Sequence, residues 1–96
     1  MMTSERVEQE LAALKPHLQQ RFKVLRLGYF GSFANDDQRP DSDIDIIVEF
    51  AETPGWDFFD LQQLLEDKLN RRVDLVSLSA LKVQMRDSIL SQVRYI

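Results

Sequence analysis

The chain has 96 residues, no cysteine and a formal net charge of −4, with 44% hydrophobic and 29% charged residues. This length and composition favour a single folded domain over 1–96 rather than a disordered segment, and the lack of cysteine excludes a disulfide framework and a thiolate metal site. The acidic balance argues against non-specific binding to a nucleic-acid backbone, which needs a basic surface.

The amino-terminal residues 1–6 are mostly polar and lack the apolar core of a signal peptide. No apolar run approaches the roughly 20 residues that a membrane span requires. We therefore expect a cytoplasmic protein that does not contact the membrane.

A first helix is predicted to begin at a cap residue, Thr3 or Ser4, and to close at Phe22. Pro16 is expected to kink this helix or to restart it in its middle. Its apolar residues fall at helical spacing. They are Val7, Leu11, Leu14 and Leu18.

Two strands are predicted next, over residues 24–30 and about 43–50, because both are rich in branched and aromatic side chains. Gly31 and Ser32 end the first strand. A polar loop, 35–42, connects the two.

The second half begins with a turn at 53–55, and Asp57 is expected to cap a helix whose buried face is Phe58, Leu61, Leu64, Leu65 and Leu69. A short strand over 72–77 follows. Ser79 is expected to cap a last helix, with a core face made by Leu81, Met85, Ile89 and Val93. This order of elements predicts an α+β domain with a small mixed β-sheet flanked by helices.

The carboxylates of the second strand have an unusual arrangement. Residues i and i+2 of a strand face the same side, so Asp43 and Asp45 point together with Cα atoms about 6.5–7 Å apart. Two such carboxylates repel each other unless a cation lies between them, and a pair of Mg²⁺ ions is a standard clamp for nucleotidyl transfer. Asp74, which interrupts an apolar run in the third strand, is the candidate for a third acid.

The Gly-Ser pair suits a phosphate. Gly31 allows close approach to the backbone, and Ser32 offers a hydroxyl and an N–H group at the start of a helical turn, where anions are stabilised. One element would then bind a polyphosphate and the next would hold its metal ions.

Competing interpretations exist for the same residues. An EF-hand loop would match the D-x-D-x-D at 41–45 and Glu52 at its twelfth position, but Ile46 stands where that loop needs glycine. A capped turn at 41–43 would explain one aspartate. A structural ion pair with Arg26, Arg71 or Arg72 would explain Asp74.

Two enzyme classes have no support. His17, the only histidine, falls on the first helix, which leaves serine-histidine-aspartate chemistry without a base near the acids. The P-loop pattern G-x-x-x-x-G-K-[ST] is absent from the sequence.

The spacing resembles the G-S-x10-D-x-D signature of the minimal nucleotidyltransferase (MNT) family, within the DNA polymerase β-like nucleotidyltransferase superfamily. The matching residues are Gly-Ser at 31–32, Phe-Ala at 33–34, Asp-Ile-Asp at 43–45, the strand end at 46–50 and Val-Asp-Leu-Val at 73–76. The resemblance covers nearly the whole chain and implies the polymerase β-like fold.

The resemblance also implies roles for the site residues. Asp43 and Asp45 would coordinate two Mg²⁺ ions. Asp74 would complete the catalytic metal site and favour deprotonation of the attacking hydroxyl. Gly31 and Ser32 would hold the triphosphate of ATP.

The function that the resemblance implies is that of an MntA-type antitoxin, which transfers AMP from ATP to a tyrosine of a HEPN-domain RNase toxin. A non-catalytic antitoxin that neutralises its partner by contact is the alternative. Modification of a small molecule or an RNA end is a third option, which the acidic charge disfavours. No direct binding to nucleic acid is expected, and a homo-oligomer or a hetero-oligomer with the toxin is compatible with the pattern.

One position departs from the family. Members often carry Arg-Gly after the Gly-Ser-aromatic-Ala stretch, whereas this chain has Asn35 and Asp36. We expect this change to weaken binding of the triphosphate more than binding of metal, unless Arg39 supplies the missing positive charge.

Overall fold

The computed structural model describes residues 2–96 as one sheet with helices around it. The elements are α1 Ser4–Phe22, β1 Val24–Phe30, β2 Ile44–Phe50, α2 Asp57–Leu69, β3 Val73–Ser77, a 3₁₀ turn Leu78–Ala80, α3 Val83–Leu90 and β4 Arg94–Tyr95. The predicted α+β class and the bounds of β1 are confirmed. None of the helices in residues 2–96 combines the length and the apolarity of a membrane span.

The sheet is mixed and its strands lie in the order β3-β2-β1-β4. β1 pairs antiparallel with β2 and with β4, and β2 pairs parallel with β3. Successive side chains of each strand alternate between the two faces. The sheet therefore has a core face, covered by α1 and α2, and a second face, which we call the acidic face because it carries Asp45 and Asp74.

The core face is built from fully buried apolar side chains. In β2 these are Ile44, Ile46 and Val48, at 0%, 0% and 1% exposure. Leu27 and Tyr29 of β1 join them. The helices contribute Val7, Leu11, Leu18, Phe22, Leu61, Leu65 and Leu69 to the same cluster. The predicted core of α1 and α2 is thus confirmed, with Leu14, Phe58 and Leu64 packed at its margin.

Two expectations about α1 and α2 need correction. Helix α1 is capped by Thr3, whose Oγ1 accepts from the Arg6 N–H at 3.1 Å, but it does not restart at Pro16. The buried stripe on both sides of Pro16 holds the helix together across the missing hydrogen bond, and the proline ring lies on the exposed side. In α2 the cap position is Trp56, without a side-chain bond, and Asp57 is the first helical residue.

The carboxyl-terminal segment differs most from the prediction. Ser79 lies in the 3₁₀ turn, α3 begins only at Val83, and no residue of α3 is buried. Met85, predicted to lie in the core, is 51% exposed. The chain then returns as β4, which the local pattern does not indicate. This return needs Gly28 of β1, where a Cβ atom would collide with Val93.

Candidate active site

The loop that follows β1 turns sharply onto the acidic face. Gly31 has a positive φ of 72°, a conformation that favours glycine. The Asn35 N–H donates to the Gly31 carbonyl at 3.1 Å, and the Asp37 N–H donates to the Ser32 carbonyl at 3.0 Å, which closes a helical turn. The structure therefore places Ser32 in the first residues of such a turn, as the sequence predicts for an anion-binding loop.

Gly31 lies directly against Asp45. A Cβ atom on Gly31 would overlap the Oδ2 atom of the Asp45 carboxylate. Glycine is thus required twice, by its backbone angle and by the neighbouring carboxylate. The contact brings the expected phosphate-binding element and the expected metal-binding element together at one point.

Asp45 and Asp74 are direct register partners in the parallel pair β2 and β3. Neighbouring strands lie about 4.8 Å apart, so these two side chains stand next to each other on the acidic face. Asp74 makes no ion pair within residues 2–96. The interpretation of Asp74 as a structural ion pair with an arginine is therefore wrong.

Asp43 lies just outside β2 and its side chain is exposed. Its neighbour Ser42 does close a turn, since its Oγ accepts from the Arg39 N–H at 2.8 Å. The capped-turn interpretation is correct for Ser42, but it does not account for Asp45 or Asp74. The EF-hand interpretation fails because the chain from Ile44 onward is a strand.

The three carboxylates act on one another electrostatically. Partial burial is the largest cause of the raised pKa of Asp45, which is about 6. Repulsion from Asp74, a hydrogen bond that protonated Asp45 donates to the Asp74 carboxylate, and repulsion from Asp43 raise it further. A proton shared near Asp45 relieves this repulsion at low pH. A divalent cation would relieve it at neutral pH.

The donor set fits Mg²⁺ in its chemistry, because Mg²⁺ prefers carboxylate oxygens together with phosphates and waters. Its geometry is incomplete. In the part of the chain that the structure describes, no group of three or more His, Cys, Asp or Glu side chains is arranged to hold a metal ion. Asp45 and Asp74 are register partners, whereas Asp43 precedes β2. The convergence of all three carboxylates on metal remains a prediction.

Arg71 holds the segment that leads to Asp43, a role that the sequence reasoning missed. Its Nη1 atom donates to the carbonyls of Pro40 and Ser42, at 2.9 Å each. Its guanidinium also lies over the ring of Phe33, 5.7 Å from the centroid. One side chain just before β3 therefore joins the Gly-Ser loop to the segment before β2.

Asp36 anchors the other side of the Gly-Ser loop. Arg94 donates to its Oδ2 at 2.9 Å and Ser4 donates to its Oδ1 at 3.1 Å. These bonds, with the Arg94 bond the larger cause, hold the pKa of Asp36 below its usual value. Asp36 has a positive φ of 57°, a conformation that aspartate tolerates better than most residues.

The side chain of Asn35 contacts a neutral residue rather than an arginine or a lysine. Its Nδ2 atom donates to Oε1 of Gln92 at 3.3 Å, so the Asn-Asp pair is tied to the carboxyl-terminal segment on both residues. Arg39 is exposed, and its side chain forms no ion pair within residues 2–96. It remains available as the replacement cation that the sequence suggests.

The chain matches the family model described as Polymerase beta, Nucleotidyltransferase, over residues 12–96. It is 41% identical over 97 residues to the protein adenylyltransferase MntA of Thermococcus cleftensis, covering 100% of this chain and 98% of that protein.

Solved structures give the same fold. A minimal nucleotidyltransferase superimposes with a TM-score of 0.83 at 33% identity, covering 97% of this chain and 95% of the other. A toxin-antitoxin crystal structure with AMP-PNP has a TM-score of 0.71 at 26% identity, covering 98% and 72%. An MNT antitoxin in complex with the tri-AMPylated HEPN toxin of Shewanella oneidensis shares the fold at 24% identity and a TM-score of 0.62, covering 96% and 66%.

Proposed function

Because the chain belongs to the polymerase beta nucleotidyltransferase family, we propose that it is a Mg²⁺-dependent protein adenylyltransferase. It transfers AMP from ATP to a tyrosine hydroxyl of a cognate HEPN toxin and so acts as the antitoxin of a toxin-antitoxin pair in the cytoplasm. The observation that carries this proposal is the contact of Gly31 with Asp45 beside Asp74. It supports the proposal because it brings the turn that we expect to bind phosphate beside the paired carboxylates.

Each of these elements has a separate role in the proposed reaction. Ser32, through its hydroxyl and N–H group, holds the β- and γ-phosphates against the helical turn. Asp43, Asp45 and Asp74 are the residues that would hold Mg²⁺, which supplies neutralisation of phosphate charge and a lower pKa for the incoming hydroxyl. Arg71 and Asp36 keep the two loops in place around them.

The reaction forms a bond between the acceptor oxygen and the α-phosphorus and breaks the bond between the α-phosphorus and the bridging oxygen. Pyrophosphate leaves on the side of Gly31 and Ser32. Asp74, on the other side of Asp45, favours removal of the proton from the acceptor hydroxyl. No histidine is needed, which agrees with the exposed position of His17 on α1.

The product would silence an RNase by charge and bulk. RNA-binding sites are basic, and an added nucleotide brings a phosphate charge and a large group into such a site. We expect the acceptor to arrive on a macromolecule, because a chain of 96 residues leaves little room for a deep acceptor pocket beside the nucleotide.

A second candidate is an antitoxin that neutralises by contact alone. It is favoured by one observation, the exposed position of Asp43 outside a complete ligand set in residues 2–96. The acidic pair of Asp45 and Asp74 argues for catalysis, because binding alone does not need adjacent carboxylates.

The test mixes the protein, Mg²⁺, α-labelled ATP and a HEPN toxin encoded beside this chain. Label is expected on the toxin, and it is expected to disappear with Asp43→Asn plus Asp45→Asn or when the acceptor tyrosine of the toxin becomes phenylalanine. If the double variant still neutralises the toxin at stoichiometric dose and the unmodified chain transfers no label, neutralisation is by contact and the enzymatic proposal is wrong.

A further inference from the structure

The outer edge of β3 is free over part of its length. β3 ends the sheet, and its inner side pairs with β2. The Arg72 carbonyl accepts from the Ile44 N–H at 3.0 Å, so the backbone groups of Arg72 point inward. Because these groups alternate along a strand, the residues whose N–H and C=O groups point outward are Val73, Leu75 and Ser77.

The first of these outward residues is covered by α2. The Val73 N–H donates to Oε2 of Glu66 at 3.0 Å, and Nε2 of Gln62 donates to the Val73 carbonyl at 3.0 Å. Beyond Val73 the protection stops. No bond from residues 2–96 reaches the N–H or C=O of Leu75 or the N–H of Ser77. Unpaired groups of this kind are a template for another strand.

An apolar cavity of about 640 Å³ opens beside this edge. Leu75 and Ser77 line it, together with side chains from the end of β2, from the turn before α2, from α2 itself and from the 3₁₀ turn. These include Phe50, Pro54, Phe58, Phe59 and Ala80. The combination of a free edge with an apolar cavity is one in which main-chain bonds give affinity and the cavity selects side chains.

Aromatic side chains extend this cavity to the surface. Phe59 is 59% exposed and Trp56 is 86% exposed, with ring centroids 5.9 Å apart. Phe59 in turn stacks edge-on with Phe58 at 5.7 Å. Contiguous exposed aromatic groups at a cavity mouth typically mark a protein-binding surface.

The charges near the cavity select the partner. Glu52, Asp57 and Asp60 lie in the same segments as the lining residues, are exposed, and form no ion pair in the part of the chain that the structure describes. Asp57 and Asp60 also stabilise α2, because negative charges interact favourably with the dipole at the amino end of a helix. Glu52 precedes the helix and has no such role.

Two cations lie near these acids: Lys82 follows the 3₁₀ turn, and Arg86 borders Phe50 and Ser79, which line the cavity. The three acids outnumber them, so the surroundings of the cavity carry a net negative charge. The complementary occupant is basic.

We propose that the outer edge of β3 at Leu75 and Ser77, with the adjoining cavity, is a docking site for an extended segment of a partner protein. The segment adds to the sheet as a strand, places apolar side chains in the cavity and carries lysine or arginine opposite the acids. Where the partner is the toxin, this inference rests on the proposed function. Asp74 and Ser77 are three residues apart on β3, about 10 Å, so a docked chain would lead toward the active site.

The test selects a library of random peptides of about 12 residues on the full chain, without ATP. Enriched peptides are expected to alternate apolar residues with lysine or arginine. Ser77→Pro removes the outward N–H at a φ of −87°, near the value that proline adopts, and leaves the inner ladder intact. It is expected to weaken binding about tenfold, whereas the control Ser77→Ala retains the N–H group and the affinity.

A second pair of variants tests the cavity. Phe59→Ser is expected to weaken peptide binding severalfold, and Leu25→Ser, at a residue that is 54% exposed on β1, is expected to leave it unchanged. Thermal melts of all four variants check that each is folded. Failure of the library to enrich any peptide, enrichment of acidic peptides, or binding that survives Ser77→Pro would overturn the proposal. AMP transfer is measured separately, so either result stands without the other.

Discussion

The two faces of β2 follow different rules. On the core face Ile44, Ile46 and Val48 are sealed under α1 and α2, and each gains stability from burial. On the acidic face, one residue away along the same strand, Asp45 is held between burial and the repulsion of Asp74. One face of this seven-residue strand therefore stabilises the fold by burial, and the other carries a carboxylate whose charge is not compensated. A cation-binding site requires such a carboxylate.

The largest expected effect is on AMP transfer, from a substitution that alters only the acidic face. Asp45→Asn is expected to lower AMP transfer by about a thousandfold or more. The reason is that the metal ions that would neutralise the transferred phosphate lose one of their carboxylate ligands. In EDTA its free energy of unfolding is expected to equal or exceed that of the unmodified chain, because a repelling charge is gone. Urea unfolding beside the labelling assay checks both halves. A clear loss of stability would show that Asp45 is structural.

A substitution on the core face should instead lower stability. Ile46→Ala, the next residue of β2, is expected to cost about 2–5 kcal/mol of stability through lost burial and a cavity. At a temperature where the variant is still folded, its KM for ATP is expected to stay within about twofold of the unmodified chain, since Ile46 does not reach the acidic face. A large change in KM with intact stability would mean that the two faces are not independent.

A variant at the contact between the loops sharpens the comparison. Gly31→Ala is expected to reduce stability by about 1–3 kcal/mol, from a positive φ of 72° and from overlap with the Asp45 carboxylate. Gly55→Ala is the matched control, because Gly55 also has a positive φ, 59°, but has open space around its Cβ position. Both should lose stability in urea unfolding, and only Gly31→Ala should also lose ATP binding. Equal loss of ATP binding in both would contradict the assigned contact.

The sequence predicts the core face better than the acidic face because its signals are local. The alternation in residues 44–50 and the 3.6-residue period of α1 follow from neighbours along the chain. The same period misleads in α3, which buries no residue and leaves Met85 51% exposed. Strand β4 depends on a partner that lies more than 60 residues earlier, which no local pattern records.

The site shows the same division. Period two predicts that Asp43 and Asp45 share a face, but only the resemblance puts Asp74 with them, because the parallel register of β2 and β3 is a long-range property. Arg71 and Arg94 were missed for a related reason. Arg71 bonds to Pro40, about 30 residues away in sequence, and Arg94 bonds to Asp36, 58 residues away.

The smallest expected effect is a pH dependence. The pKa of Asp45 is raised to about 6 in the folded chain, so between about pH 4 and pH 6 the folded state binds more protons than the unfolded state. Its contribution is favourable below this window and is lost as the pH rises through it. Without Mg²⁺, the unfolding free energy of the unmodified chain should therefore fall relative to Asp45→Asn from pH 4 to pH 6.5. A constant difference between the two would contradict the repulsion assigned to the acidic face.

The central claim is that the Gly-Ser loop and the acidic face form one nucleotide site, and linked stabilisation by Mg²⁺ and ATP tests it most directly. Neither ligand should bind well alone, since the carboxylates and the triphosphate are both negative. Together, at about 100 times their dissociation constant, they should add about 2.7 kcal/mol to the unfolding free energy. The account predicts this joint shift in thermal melts, and its loss in Asp43→Asn plus Asp45→Asn. A joint shift that survives in the double variant, or no shift at millimolar Mg²⁺ and ATP, would contradict it.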